Sequence, residues 1–373
     1  MAAGSSWLLT LPPVTGTTSL QQQTMMRPAG CSQRQTASRT RAVQTLGQLS
    51  ADLESSIDAT FGNCLVQSDL QLGRQTVGKV RDMYSLDEHL LIVTTDRQSA
   101  FDRLLASVPY KGQVLNQTSC WWMHQTRHIV PNALTAEPHP NAVIMQQCKV
   151  FPVEFVVRGF ITGSTSTSLW THYKSGSRSY CGNEFPDGLR KNDRLQENVI
   201  TPTTKAADHD EPISPQDIVG QGLMSQEDVD QTFEAALGLF NFGQEEAKKR
   251  DLLLVDTKYE FGKAPDGTIR LVDEIHTPDS SRYWLASSYE QRHALHEEPE
   301  SIDKEFLRLW FRDNCDPYHD KVLPEAPKEL VVELARRYIT LYQMITGKTF
   351  EASPVTADTN AEIRSSIVKH LGL

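Results

Sequence analysis

The first fifty residues contain no aspartate, no glutamate and no lysine; the first acid in the chain is Asp52. What they do contain is Arg27, Arg34, Arg39 and Arg41 among many Ser, Thr and Gln. A secretory signal needs a longer apolar run than WLLTL at 7–11, which ends at a proline pair. An acid-free, hydroxyl-rich, arginine-bearing start has the composition of an organelle transit peptide, so residues 1–50 stand outside the fold reading. The arginines do not line one face of an amphipathic helix, which favours a plastid over a mitochondrion as destination. Other absences narrow the class further. No stretch stays apolar for about 18 residues, so no membrane span is expected. The cysteines Cys31, Cys64, Cys120, Cys148, Cys181 and Cys315 form no CxxC pair, which argues against a zinc site or a disulfide framework and for reduced thiols. A net charge of -10 disfavours non-specific nucleic-acid binding, which needs a positive face, but leaves room for local basic pockets. Neither GxxxxGK[ST] nor GxGxxG occurs, and GxSxG, HExxH and EF-hand loops are missing too. The readings they carry, from phosphate loop to serine hydrolase, therefore lack motif support.

What is present reads as an α+β chain. VGKVRDMYSL and HLLIVTTD are two β-type runs around a short Asp87–Glu88 turn. Residues 112–130 look helical, with Leu115, Ser119, Trp122 and Thr126 on one stripe. Trp121 and Trp122 there read as core. CKVFPVEFVVRGF at 148–160 is strand-like, and 174–215, rich in Gly, Asp, Asn, Pro and Ser, reads as loops. Ser225 with Asp228 resembles a capping box ahead of Val229, Phe233, Ala236, Leu237 and Phe240 at helical spacing. Residues 252–275 form a hairpin pattern turning at Pro265, Asp266 and Gly267. Helices are expected near 301–313 and 327–346, the second stopping at Gly347. The expected division is 1–50 as transit or disordered segment, 51–160 as an N-terminal β-rich lobe, and 161–373 as a substrate and metal lobe with C-terminal helices.

Five places could carry chemistry. In LLLVDTKYEFG (252–262), Asp256, Lys258 and Glu260 alternate and so share one strand face. If Glu260 meets Asp273 across the hairpin, two carboxylates need a cation between them, either Lys258 or Mg²⁺; an exposed hairpin face with Lys–Glu pairs is the plain alternative. In GKVRDMY (78–84), Gly78 beside Lys79 and Arg81 suits a polyphosphate, or else is a solvated strand face. VVRGFITGSTSTS (156–168) sets Arg158, Gly163 and Ser164 together as a phosphomonoester pocket would, or is an ordinary Ser/Thr loop. ITPTTKAADHDEPIS (200–214) concentrates Lys205, Asp208, His209, Asp210 and Glu211, a charged loop that could bind a metal or position an amine. TPDSSRYW (277–284) presents Arg282, a second arginine for a phosphate clamp.

In their order these stretches resemble the SAICAR synthetase family. FPVEFVVRGFITGS (151–164) and LVDTKYEFG (254–262) look like its two signatures; GKVRDMY, TTDRQSAFD (94–102), TPTTKAADHDEPIS and LVDEIHTPDSSRYW support them. The match runs from about residue 75 to about residue 350, and the chain is too short for the family's form fused to a carboxylase. The resemblance implies a two-lobe fold, with an antiparallel β-rich ATP-binding lobe against an α/β lobe bearing the C-terminal helices. It implies an ATP-dependent ligase with Mg²⁺, joining carboxyaminoimidazole ribonucleotide to L-aspartate. By resemblance Glu260 and Asp273 are Mg²⁺ ligands, and Lys258 lies against substrate or phosphate oxygens. Lys79, Arg81 and Glu154 match the ATP site. Arg158, Ser164 and Arg282 match a clamp on the ribonucleotide 5′-phosphate, and Lys205 and Asp210 match the loop facing the imidazole. Ser99, Ala100 and Asp102 match a loop near the aspartate site. Two other readings compete: a small-molecule kinase using the same ATP cleft, which would not need aspartate, and a nucleotide sensor without catalysis, which need not keep a metal pair.

Overall fold

Ser50 accepts the backbone N–H of Leu53 at 3.3 Å and so starts the first helix, α1 (Ala51–Thr60), in a computed structural model that describes residues 49–101, 103–165, 167–205, 211–302 and 304–373. Strands β1 (Arg74–Val77), β2 (Arg81–Leu86) and β3 (His89–Thr94) follow, then a small hairpin, β4 (Arg97–Ala100) and β5 (Arg103–Ser107). Helix α2 (Lys111–Gln125) leads to β6 (Leu134–His139) and β7 (Ala142–Gln146). The first sheet has the order β1-β2-β3-β7-β6, antiparallel throughout. The β2–β3 hairpin turns at Asp87 and Glu88, as its sequence implies, because two apolar runs flank a polar pair.

The second sheet begins at β8 (Lys149–Phe160). After the short α3 (Leu169–Lys174) and the small pair β9 (Ser179–Tyr180) and β10 (Asn183–Glu184) comes β11 (Arg194–Thr204). The expectation of loops across 174–215 fails at β11, an 11-residue strand. Its Pro202 masks the signal, since a proline argues against a central strand. The sheet order β11-β8-β12-β13 puts β11 at an edge, where a missing N–H is harmless. The Pro202 carbonyl instead accepts the N–H of Ile213 at 3.0 Å, so the following segment covers that edge.

Helices α4 (Pro215–Gly220) and α5 (Gln226–Lys248) precede β12 (Leu252–Lys263), β13 (Ile269–Leu271) and β14 (Ser281–Leu285), which pairs with β12. Ser225 caps α5 by accepting the Asp228 N–H at 3.1 Å, but the Asp228 carboxylate turns to Lys263 at 2.7 Å. The hairpin turn at Ala264–Gly267 is closed by Gly267 N–H to Ala264 O at 2.9 Å. Helices α6 (Ala286–Ala294), α7 (Glu305–Asn314), α8 (Lys328–Thr346) and α9 (Thr359–Leu371) complete the chain. Gly347, at φ 68, stops α8 with its N–H on Gln343 O.

A hydrophobic core lies where α2 meets α8. Tyr110, Val114 and Leu115 pack against Leu334, Tyr338 and Ile339, with α1 and α7 at its sides. The backbone joins the two sheets where the Leu271 N–H and O bond Pro131 and Ala133. Among the described residues no helix is long and apolar enough to cross a membrane.

Candidate active site

Alternation along β12 sets the site. Thr257, Tyr259 and Phe261 point into the core while Asp256, Lys258 and Glu260 share the half-buried face. Antiparallel register then brings Glu154 of β8 opposite Glu260, and Arg158 opposite Asp256. Lys258 Nζ donates to Glu154 Oε1 at 3.1 Å, to Asp273 Oδ2 at 3.3 Å and to Glu260 Oε1, so its three N–H groups meet three carboxylates. Lys205, at the end of β11, reaches the other oxygen of Glu260. Arg81, first residue of β2, pairs with Asp273 Oδ1 and lies 3.4 Å from Glu274 Oε1. These two contacts carry the cluster across from the second sheet to the first.

The electrostatics follow from burial and packing. Burial opposes the charge on Lys258, yet Asp273, Glu260 and Glu154 outweigh it and hold its pKa well above the usual lysine value. Burial likewise opposes the Asp273 carboxylate, but Arg81 and Lys258 hold it well below the ordinary range. Arg81 is raised in turn: Asp273 and Glu274 prevail over desolvation. Glu260 moves the other way, raised by burial and by the neighbouring Asp273 charge, which Lys258 and Lys205 only partly offset.

Four carboxylates (Glu154, Glu260, Asp273, Glu274) thus face three cations (Lys205, Lys258, Arg81). Hard oxygen donors with unbalanced charge suit a divalent cation. No group of three His, Cys, Asp or Glu is assembled for a metal among the described residues. Two carboxylates completed by substrate phosphates and water is the Mg²⁺ pattern, so Glu260 and Asp273 fit that ion.

A second constellation lies two residues along the same strand. Asp256 on β12 sits between Arg158 of β8 and Arg282 of β14, with its Oδ2 at 3.6 Å from Arg158 NH1 and 2.8 Å from Arg282 NH1. Burial lowers the pKa of Arg158, and Thr201 Oγ1 accepts its Nε–H at 2.9 Å. Two guanidinium groups thus converge on one carboxylate. Ser164 is exposed in the loop after β8, where Gly163 takes φ +100 and a Cβ would lie 2.4 Å from Ser168 Oγ.

Lys79 sits differently from its expected place on a strand beside Arg81. It lies in the bend between β1 and β2, because the Gly78 N–H turns back to Arg81 O at 2.8 Å. A Cβ on Gly78 would come within 2.8 Å of that same oxygen, which explains the glycine. Lys79 and Ser99 line a cleft of about 420 Å³ with Val66, Arg97 and Arg103. Ala100 ends β4 next to Ser99. Asp102, Asp208, His209 and Asp210 lie outside the described residues. Sequence reasoning left Asp256 and Glu274 without a role. Asp256 carried a signal, its place on the Lys258 face; Glu274 carried none, since only the fold brings Arg81 to it.

Sheet order, strand register and ion pairs together define an α+β protein with a cluster of partly buried ion pairs where its two sheets meet. A family model described as SAICAR synthetase matches residues 74–325. The chain is 60% identical over 309 residues to the phosphoribosylaminoimidazole-succinocarboxamide synthase of Legionella pneumophila (strain Paris), spanning 83% of this chain and 99% of that protein. It is 59% identical over 304 residues to the chloroplastic synthase of Arabidopsis thaliana, 80% of this chain and 74% of that one. Among solved structures, the SAICAR synthase of Saccharomyces cerevisiae complexed with SAICAR superposes with a TM-score of 0.67 at 30% identity, covering 77% of this chain and all of that one. The chain belongs to the SAICAR synthetase family.

Proposed function

We propose that this chain joins the carboxylate of carboxyaminoimidazole ribonucleotide to the amine of L-aspartate with ATP, giving SAICAR, ADP and phosphate. It is a carbon–nitrogen ligase of purine biosynthesis. The observation that carries the reading is Lys258, fixed by Glu154, Glu260 and Asp273 where two sheets meet. A carboxylate acylates poorly because oxide is a poor leaving group. Transfer of the γ-phosphoryl group to a carboxylate oxygen breaks the bond to ADP and makes an acyl phosphate. The neutral amine then attacks the acyl carbon, the C–O bond to phosphate breaks, and the amine gives up a proton. Glu260 and Asp273 would hold Mg²⁺, which would supply charge neutralisation on the phosphates. Lys258 and Arg81 keep their positive charge at any working pH and face the oxygens that gain negative charge during transfer. Lys79 and Glu154 belong in this reading to the ATP side, and Lys205 and Asp210 to the imidazole side. Arg158, Arg282 and Ser164 take the ribonucleotide 5′-phosphate, which displaces Asp256 as their shared anion. Ser99, Ala100 and Asp102 take L-aspartate.

We also propose that residues 1–50 direct the chain to a plastid. Their acid-free composition supports this, as do the chloroplastic plant relatives. The expected lobes at 51–160 and 161–373 belong to one compact unit, 47–373, in which α2 and α8 share a core. β8 pairs with β11 and β12, so a border at residue 160 would cut the second sheet.

Replacing Glu260 by glutamine tests the site. It keeps the shape but removes one carboxylate, and turnover should fall at least about a hundredfold through lost metal positioning. Near-normal turnover at saturating Mg²⁺ would take Glu260 out of the role.

A further inference from the structure

Asp279 stands at the tip of the turn that joins the Asp273 carboxylate to Arg282, and three elements distant in sequence converge on it. Lys111, the first residue of α2 and fully buried, donates from Nζ to Asp279 Oδ2 at 2.7 Å. Tyr338, buried at the middle of α8, donates its hydroxyl to Asp279 Oδ1 at 2.6 Å. Lys304 donates to the Asp279 carbonyl at 2.9 Å. Burial works against the Asp279 charge, but Lys111 and Lys304 prevail and bring its pKa down to about 2. Gln98 Oε1 also lies 3.3 Å from the Tyr338 oxygen. One O–H cannot serve both acceptors, and the shorter, charge-assisted bond goes to Asp279.

The turn itself is tightly tied to the site. Thr277 Oγ1 accepts the N–H groups of Asp279 (3.3 Å) and Ser280 (3.1 Å), and the Ser281 N–H reaches Thr277 O at 2.9 Å. The Ser280 carbonyl accepts the backbone N–H of Lys258 at 3.2 Å. Whatever fixes Asp279 therefore fixes the backbone that leads into Arg282 and lies behind Lys258. Tyr338 lies beyond residue 325, where the family match ends.

We infer that Lys111, Asp279 and Tyr338 form a positioning triad, through which helix α8 holds the turn 277–281 so that Arg282 is set for the ribonucleotide 5′-phosphate. The inference rests on the proposed reaction for its substrate and on the geometry alone for the turn. None of the three residues need touch substrate.

The test is Tyr338→Phe, which keeps the ring packing and deletes the hydroxyl. Two readouts are taken on the full chain: Michaelis constants for each substrate, and amide hydrogen exchange of the peptide spanning 277–282. The triad predicts a KM for carboxyaminoimidazole ribonucleotide raised about tenfold, as for loss of a hydrogen bond to a charged group. The KM for ATP stays within about twofold, and exchange at Asp279, Ser280 and Ser281 quickens. A lower melting temperature with neither readout moved would reduce Tyr338 to a packing residue and overturn the inference. A rise confined to the L-aspartate KM would overturn it too, since the hydroxyl would then act through Gln98 and Ser99. If the unmodified chain forms no SAICAR yet the variant still exchanges faster at 277–282, the proposed reaction fails while the turn-fixing triad stands.

Discussion

Lys258 carries three N–H donors and meets three carboxylates, an arrangement that leaves the ammonium no freedom and no unmet hydrogen bond. Its identity as a site residue was readable from alternation alone, because Asp256, Lys258 and Glu260 interrupt an otherwise apolar run at every second position. Its Arg81 and Glu274 neighbours were not readable as a group, since their meeting depends on how two sheets pack. Two other buried ionisable residues make opposite contributions to the acid response. His276 is held neutral by burial, its pKa lowered to about 3. Asp96 is raised by burial to about 6, against the N–H groups of Gly112 and Leu65 that it accepts at 2.8 Å each. Between about pH 6 and pH 4 the unfolded chain binds one proton more at His276 and one fewer at Asp96, so their slopes cancel. Asp96→Asn removes the compensation. Its stability should then fall by about 1.4 kcal/mol per pH unit below about pH 6, relative to the unsubstituted chain. Denaturant midpoints from pH 7 to pH 4 read this directly, and parallel curves for the two chains would refute the assignment.

At the scale of elements, three adjacent strands place an Arg, an Asp and an Arg side by side: Arg158 on β8, Asp256 on β12 and Arg282 on β14. Neither arginine's partner can be inferred from sequence spacing, because strand order is not written locally; β14 pairs with β12 past the intervening β13. The periodic elements were legible: the β2–β3 hairpin, the capped α5, the β12–β13 turn and α8 with its glycine stop. β11 was not, since its Pro202 and polar residues read as loop until an edge position makes them acceptable. The loop after β8 depends on Gly163, whose φ of +100 an alanine would adopt only under strain. Gly163→Ala should lower unfolding free energy by at least about 1 kcal/mol. It should also weaken ribonucleotide binding through displacement of Ser164. Unchanged thermal unfolding would show that the loop relaxes freely.

The whole molecule brings one sheet, carrying Arg81, against another, carrying Lys258 and Glu260 with Asp273 just past β13, and buries α2 and α8 in a shared core. Ordered motifs along the chain pointed to this assembly, while the contribution of α8 did not appear in them: Tyr338 is one apolar-face residue among several until the fold sets its hydroxyl on Asp279. The reaction as a whole is tested by ADP release from residues 51–373. Carboxyaminoimidazole ribonucleotide and Mg·ATP are supplied with L-aspartate present or omitted, and the product mass is determined. The account predicts stoichiometric ADP and SAICAR only when all three substrates are present. ADP released at the same rate without L-aspartate, with a stable phosphorylated product, would contradict it and make the protein a kinase.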